Sequence, residues 1–348
     1  MRLERIGQNG LYGIFRPKVA VKFLAAACIA VLVTSTGAEA TMTTFDPEGS
    51  VGTFAYSIND SGAIAGNFKD GSDVYHGFVR DADGTIEVFD PPDSVGTDAN
   101  RINNAGSVAG EYQDGRGLYH CFSRAVDDTI TTFDVTGSTW IDITGINRAG
   151  TITGFYQDGS NITHGFVRTP SGVISIFDPP GSIFTQVWGI NEEGSIAGDY
   201  QDSKGHYYGY VRAVDGTFST FGEAGSLVFY VTGGINKEGY VTGYYQASNG
   251  SIYGFVRAPD NTITSFTFGS EELIVPTGIN DKGALTGYYD GMGVQGFRRG
   301  KRGAIRYVDP RGSSEVEPES INNAESITGS YGSETGTHGF VRSRSKSQ

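Results

Sequence analysis

The residues of this 348-residue chain best suited to chemistry recur at two offsets from a repeated Ile-Asn pair. Three residues before each Asn stand Tyr56, Asn100, Thr144, Trp188, Gly233, Thr277 and Glu319. Five before it stand Phe54, Asp98, Asp142, Gln186, Val231, Val275 and Glu317. Tyr56, Trp188 and the nearby Trp140 offer flat faces for stacking, and Asp98, Asp142, Glu317 and Glu319 offer hydrogen-bond acceptors. With the amides of Asn100 and Gln186 they form a candidate ligand-binding set suited to a sugar or a peptide. The same carboxylates could run acid–base chemistry if their surroundings drove their pKa values apart.

Other chemistry finds less support. There is no Gly-x-Ser-x-Gly, His-Glu-x-x-His, phosphate loop, Cys-x-x-Cys or dinucleotide-binding glycine motif. Residue types that could react recur in copy after copy, whereas a unique site must draw on positions where the copies differ, so no catalytic residue is assigned. His76, His120 and His164 also recur once per copy. Equivalent positions in neighbouring sheets are expected on the order of 15 Å apart, too far to share a zinc ion, whose ligands each lie about 2 Å away. Asp81-Ala82-Asp83-Gly84 and Gln157-Asp158-Gly159-Ser160-Asn161 have some character of calcium loops but lack the full twelve-residue spacing of about that length with its terminal Glu. Turn chemistry accounts for them, so neither a metal nor another cofactor is expected.

The elements that must position these residues come from the repeat itself. Ile58-Asn59, Ile102-Asn103, Ile146-Asn147, Ile190-Asn191, Ile235-Asn236, Ile279-Asn280 and Ile321-Asn322 are spaced by 44, 44, 44, 45, 44 and 42 residues. A period of about 40 to 45 residues built from short strands points to a propeller blade. The first copy divides into strands a (54–59), b (63–68), c (74–80) and d (85–90), joined by tight Gly-bearing turns. In Asn59-Asp60-Ser61-Gly62 the Asn stands first and the Gly fourth, which suits a turn former rather than a ligand. The link from d to the next a, such as 91–100, is expected to be long, carrying the chain from the outer edge of one blade to the inner edge of the next. Strand a then lines the channel, and d, with its prolines, is the edge.

The chain ends fit this phase. Thr43-Thr44-Phe45-Asp46-Pro47 reads as a d strand with no a, b or c before it, and His338-Gly339-Phe340-Val341-Arg342 as a c strand with no d after it. The expected fold is therefore all-β, a seven-bladed propeller of four-stranded antiparallel blades over 41–348, with the N-terminal strand completing the last blade. Register arithmetic places His76, His120 and His164 opposite Asp90, Asp134 and Asp178, and His338 opposite Asp46 if the ring closes. The same arithmetic sets Gly77 against Phe89, leaving room for a ring.

Residues 1–40 read as a secretory signal peptide, with five basic residues ahead of an apolar run over 23–33 and Ala38-Glu39-Ala40 as the cleavage site. The apolar run is shorter than the roughly 20 residues a spanning helix needs. Beyond residue 40 the net charge is −16, against nucleic acid or anionic membrane as partners, and Cys121 is the one cysteine left. A secreted or periplasmic monomer is expected, with a glycan or a surface protein as partner and no membrane insertion after cleavage.

The recurring INxxGxIxGxY, HGFVR and GxIxxFDPPGS segments resemble the HAF-type extracellular repeat of bacterial exported proteins, over essentially all of 41–348. The resemblance implies an exported repeat protein and carries no substrate or catalytic residues. Copy seven departs from it at Glu325, where Gly is usual, and copy six at Gln295 and Arg298. Taken together, the expectation is a non-catalytic binding or scaffold module acting at the channel mouth. The alternative is a propeller lyase, hydrolase or lactonase using Asp98, Asp142 or Glu317.

Overall fold

The computed structural model describes residues 40–268, 273–291 and 293–344; the proposed signal peptide lies outside them but for Ala40. Every regular element among the described residues is a strand. After β1 (Ala40–Phe45), the first copy supplies β2 (Ser50–Ile58), β3 (Ile64–Asp70), β4 (Tyr75–Arg80) and β5 (Ile86–Phe89), which pair antiparallel in that order. The a, b, c, d order recurs in five separate four-stranded sheets. An eight-stranded sheet contains β2 to β5 together with Glu315–Ile321, Ile327–Ser333, Gly336–Arg344 and β1. Its two halves meet at a single parallel bridge, Gly52 to Thr337, and β1 pairs antiparallel with Gly336–Arg344, setting Phe45 opposite Gly339.

One expectation about connectivity is corrected. The d-to-a link is short, because Ser94 N already bonds Pro91 O at 3.2 Å and the next a strand runs Ser94–Ile102. Residues assigned to the link belong to the strand: Ser94, Gly96, Thr97 and Asp98 pair with Asp114, Gln113, Tyr112 and Glu111.

Neighbouring sheets are tied at two levels, and the c and d strands of one sheet at a third. At the turn after each a strand, the Asn Oδ1 caps the turn, as where Asn59 accepts from Ala63 N at 2.9 Å. Its Nδ2 donates to the backbone oxygen of the next copy's Asn. These bonds run from Asn59 through Asn103, Asn147, Asn191, Asn236, Asn280 and Asn322 and return from Asn322 to the Asn59 oxygen at 2.9 Å. Between sheets, the c-strand Arg of six copies lies over the d-strand ring of the preceding copy, as with Arg124 over Phe89 at 4.9 Å, Arg168 over Phe133 at 4.4 Å, and Arg80 over Phe45 at 4.9 Å. Toward the outer edge, His76, His120, His164 and His338 each bond the expected Asp through Nδ1 at 2.7 Å, and their side chains are half-buried. In copy six Gln295 holds the His position and accepts instead from the strand-b Tyr289 hydroxyl.

Two of the three departures from the repeat meet in space. Arg298 and Glu325 form an ion pair at 2.7 Å with both side chains largely buried. Glu325 adopts φ +63°, at the turn position where the other copies place Gly.

Candidate functional site

Every a strand carries a β-bulge near its C-terminal half, with register shifts between Ala55 and Ser57, Asp98 and Arg101, Ile143 and Gly145, and at matching points elsewhere. The extra residue is the variable one three before Asn. It steps out of the ladder, which re-aims its side chain. The bulge needs space behind it. On strand b, a Cβ at Gly66, Gly110 or Gly154 would lie within 2.1 Å of the carbonyl oxygen of Phe54, Asp98 or Asp142. Only glycine admits that approach.

In copy five the bulge spans Val231 to Ile235, one residue more than elsewhere, matching the 45-residue interval. Tyr230 consequently faces Tyr244, and its oxygen lies over Gly243, so Tyr230 rather than Val231 holds the position of Asp98 and Glu317.

On the channel axis a cavity of about 270 Å³ is walled by Tyr56, Arg101, Thr144, Trp188, Thr232, Thr277, Tyr288, Glu317 and Glu319 among others. Of the nine candidates, Tyr56, Trp188, Glu317 and Glu319 thus share one wall. Below them the isoleucines of the Ile-Asn pairs form a collar, with Ile102, Ile146, Ile190, Ile235, Ile279 and Ile321 bordering both this cavity and a second one of about 220 Å³ at the Asn end.

The other candidates stand behind the wall. Asp98, Asn100 and Asp142 gather around Glu111 on strand b. Asn100 Nδ2 donates to both Glu111 oxygens at 2.9 Å and lies 3.4 Å from Asp142 Oδ1, while Ile143 N donates to Glu111 Oε2 at 3.2 Å. Burial drives the Glu111 carboxyl well above the ordinary carboxylate range, and the charges of Asp142 and Asp98 push the same way. Asn67 bonds Asp98 and accepts from the Tyr56 hydroxyl at 3.1 Å. Trp140 is half-buried against Phe155, ring centroids 5.5 Å apart, and Phe155 lies 6.3 Å from Trp188. Gln186 is buried, directly opposite Asp199.

Sequence reasoning missed this second tier: Asn67, Glu111, Phe155, Asp199, Tyr244, Tyr288 and Ser330. Each is the variable residue between a constant Gly and an aromatic ring on strand b, as in Gly110-Glu111-Tyr112, and that contrast is the sequence signal that marks it. Among the described residues, no group of three or more His, Cys, Asp or Glu is arranged to hold a metal ion.

These features define a β-propeller. No protein-family model matches the chain, and a search of curated proteins finds no relative. Solved structures do resemble it. A catalytically inactive virginiamycin B lyase from Staphylococcus aureus with quinupristin superposes with TM-score 0.57 at 14% identity, over 87% of this chain and 99% of that one. A prolyl endopeptidase gives TM-score 0.61 at 14% identity over 86% of this chain and 50% of its own. An acylaminoacyl peptidase from Pyrococcus horikoshii gives 0.54 at 12% over 82% and 50%. At such identities the likeness is one of fold.

Proposed function

We propose that the chain is an exported seven-bladed propeller, related to the HAF-type repeat proteins and closed by β1 as the outer strand of the last blade. In this reading it binds a glycan or a surface protein at its channel mouth without chemical turnover. The cycle of Asn bonds returning to Asn59 supports the closure, as does Arg80 lying over Phe45 in the manner of Arg124, Arg168, Arg212, Arg257 and Arg299 over their rings. The observation that carries the binding reading is the convergence of Tyr56, Trp188, Glu317 and Glu319 on one cavity, two aromatic faces beside two acceptors. Residues 41–348 screened on a glycan array and against surface-protein peptides test it. Trp188→Ala should weaken a hit by at least about tenfold, the loss of roughly 1.4 kcal/mol common for a buried aromatic anchor. Unchanged affinity in that variant would remove the site.

A lyase or hydrolase reading has one observation in its favour: Glu111, held toward its acid form, stands beside Asp98 and Asp142. Against it, Asn100 engages both Glu111 oxygens, and Glu111 is not part of the cavity wall. Turnover of a bound glycan that Glu111→Gln abolishes would establish this second reading.

A further inference from the structure

Asp199 is fully buried, and the arrangement around it accounts for only one of its oxygens. Oδ1 accepts from Trp188 Nε1 at 2.8 Å and from Val231 N of the next copy at 3.2 Å. Oδ2 is buried without a hydrogen-bond partner, and so is Oε1 of Gln186. These two orphans stand on directly paired positions of neighbouring strands, Gln186 on Ser182–Ile190 and Asp199 on Ile196–Asp202. Directly paired residues share a face of the sheet with their Cβ atoms about 4.5–5.5 Å apart. Two buried acceptors on such positions are satisfied together when a proton lies between them.

We propose that Asp199 is a neutral acid in the folded chain, that its Oδ2 proton is donated to Gln186 Oε1, and that this shared proton fixes the Trp188 indole in the channel wall. Asp199 is thereby a positioning residue for the proposed ligand site. The ligand consequence rests on the binding reading above, whereas the proton does not.

The surroundings agree. The ionisable groups packed near Asp199 are the phenols of Tyr207 and Tyr210 on Tyr207–Arg212 and of Tyr230 on Val228–Ile235, the last 5.1 Å from Tyr207 between ring centroids. Burial raises the pKa of both Tyr207 and Tyr210, and the charge of an ionised Asp199 would raise them further. Neither supplies a positive charge to hold a carboxylate. Desolvation accordingly drives the Asp199 carboxyl well above its ordinary range, although the Trp188 and Val231 donors oppose it.

Asp199→Asn tests this, because an amide reproduces the neutral acid heavy atom for heavy atom: its oxygen keeps Trp188 and Val231, and its Nδ2 donates to Gln186. The folded pKa lies above the unfolded value, so the acid's contribution to stability is complete below the unfolded pKa and is lost as pH rises toward the folded one. Relative to Asp199→Asn, the unfolding constant of the parent should rise by about tenfold per pH unit from about pH 4 upward, levelling off at the folded pKa. In a Trp140→Phe background, which leaves Trp188 as the sole tryptophan, Asp199→Asn should keep the parent's emission maximum at pH 7. Asp199→Leu should shift it, since the indole loses its acceptor. Opposite results overturn the proposal: a stability ratio flat above pH 5, with Asp199→Asn less stable than the parent, means that Asp199 is ionised and the Gln186 amide is turned to donate to it. A failure of glycan or peptide binding would leave these readings unaffected.

Discussion

Replacing Asn103 separates two tasks that one side chain performs in every copy. Its Oδ1 accepts from Ala105 N at 3.0 Å and Ser107 N at 2.9 Å, and its Nδ2 donates across to Asn147 O at 2.8 Å. In Asn103→Ala all three bonds go, but the stranded groups differ. Ala105 is exposed and rehydrates, and Asn147 O keeps its bond from Gly150 N at 2.9 Å, whereas the half-buried Ser107 N–H has no alternative. At about 0.5–1.5 kcal/mol per lost bond and about 1–3 for a stranded buried donor, the expected cost is about 2–4 kcal/mol. Asn103→Asp retains the turn acceptor but sets an oxygen against the Asn147 oxygen, so it should cost about 1–3 kcal/mol at pH 7 through the link between copies alone. Urea unfolding of residues 41–348, with the midpoint compared at constant slope, measures both. If Asn103→Asp matches the parent while Asn103→Ala does not, the asparagine serves only its own turn, and the argument for a tied ring fails.

Two further outcomes follow from the sheets. A Cβ at Gly165 would meet Phe177 ring atoms at 2.7 and 2.8 Å and Val187 at 3.1 Å, so Gly165→Ala should cost about 1–3 kcal/mol by overpacking in thermal unfolding; a change below about 0.5 kcal/mol would show that the ring yields. For His76, burial alone lowers the pKa, yet the bond and charge of Asp90, with those of Asp70, more than offset it, leaving the pKa raised. The stability that this pairing supplies is complete below the ordinary histidine pKa of about 6.5 and lost as pH rises through the folded value. The advantage of the parent over His76→Gln should therefore shrink between mildly acidic and mildly alkaline pH, and a constant advantage would refute the pairing account.

The parts of this fold that sequence alone revealed are those in which copies repeat a local rule. The Asn-x-x-Gly turn, the His opposite Asp and the Gly opposite Phe each follow from hairpin register, and the same counting set His338 opposite Asp46 across the chain ends. What stayed hidden depends on a break in register. A bulge leaves no composition of its own, so Asp98, Asn100 and Asp142 were expected on the channel wall beside Tyr56, whereas they close around Glu111 behind it. The extra residue near Gly233 was visible as an interval, but only the pairing of Tyr230 with Tyr244 shows where it is absorbed. Arg298 and Glu325 were recognised as separate departures; that each explains the other required the two copies side by side.

The bulge on each a strand also bears on how such a chain can change. A side chain within a ladder answers to its cross-strand partner and to the sheet stacked against it, so a substitution there disturbs its neighbours. A residue displaced from the ladder is released from that pairing and answers to one residue of strand b, as Tyr56 does to Asn67 and Trp188 to Asp199, and to the space in front of it. Seven copies of one frame, each with a single position released in this way, let the inner surface diverge while the frame remains uniform, and Tyr56, Trp188 and Glu319 occupy such positions.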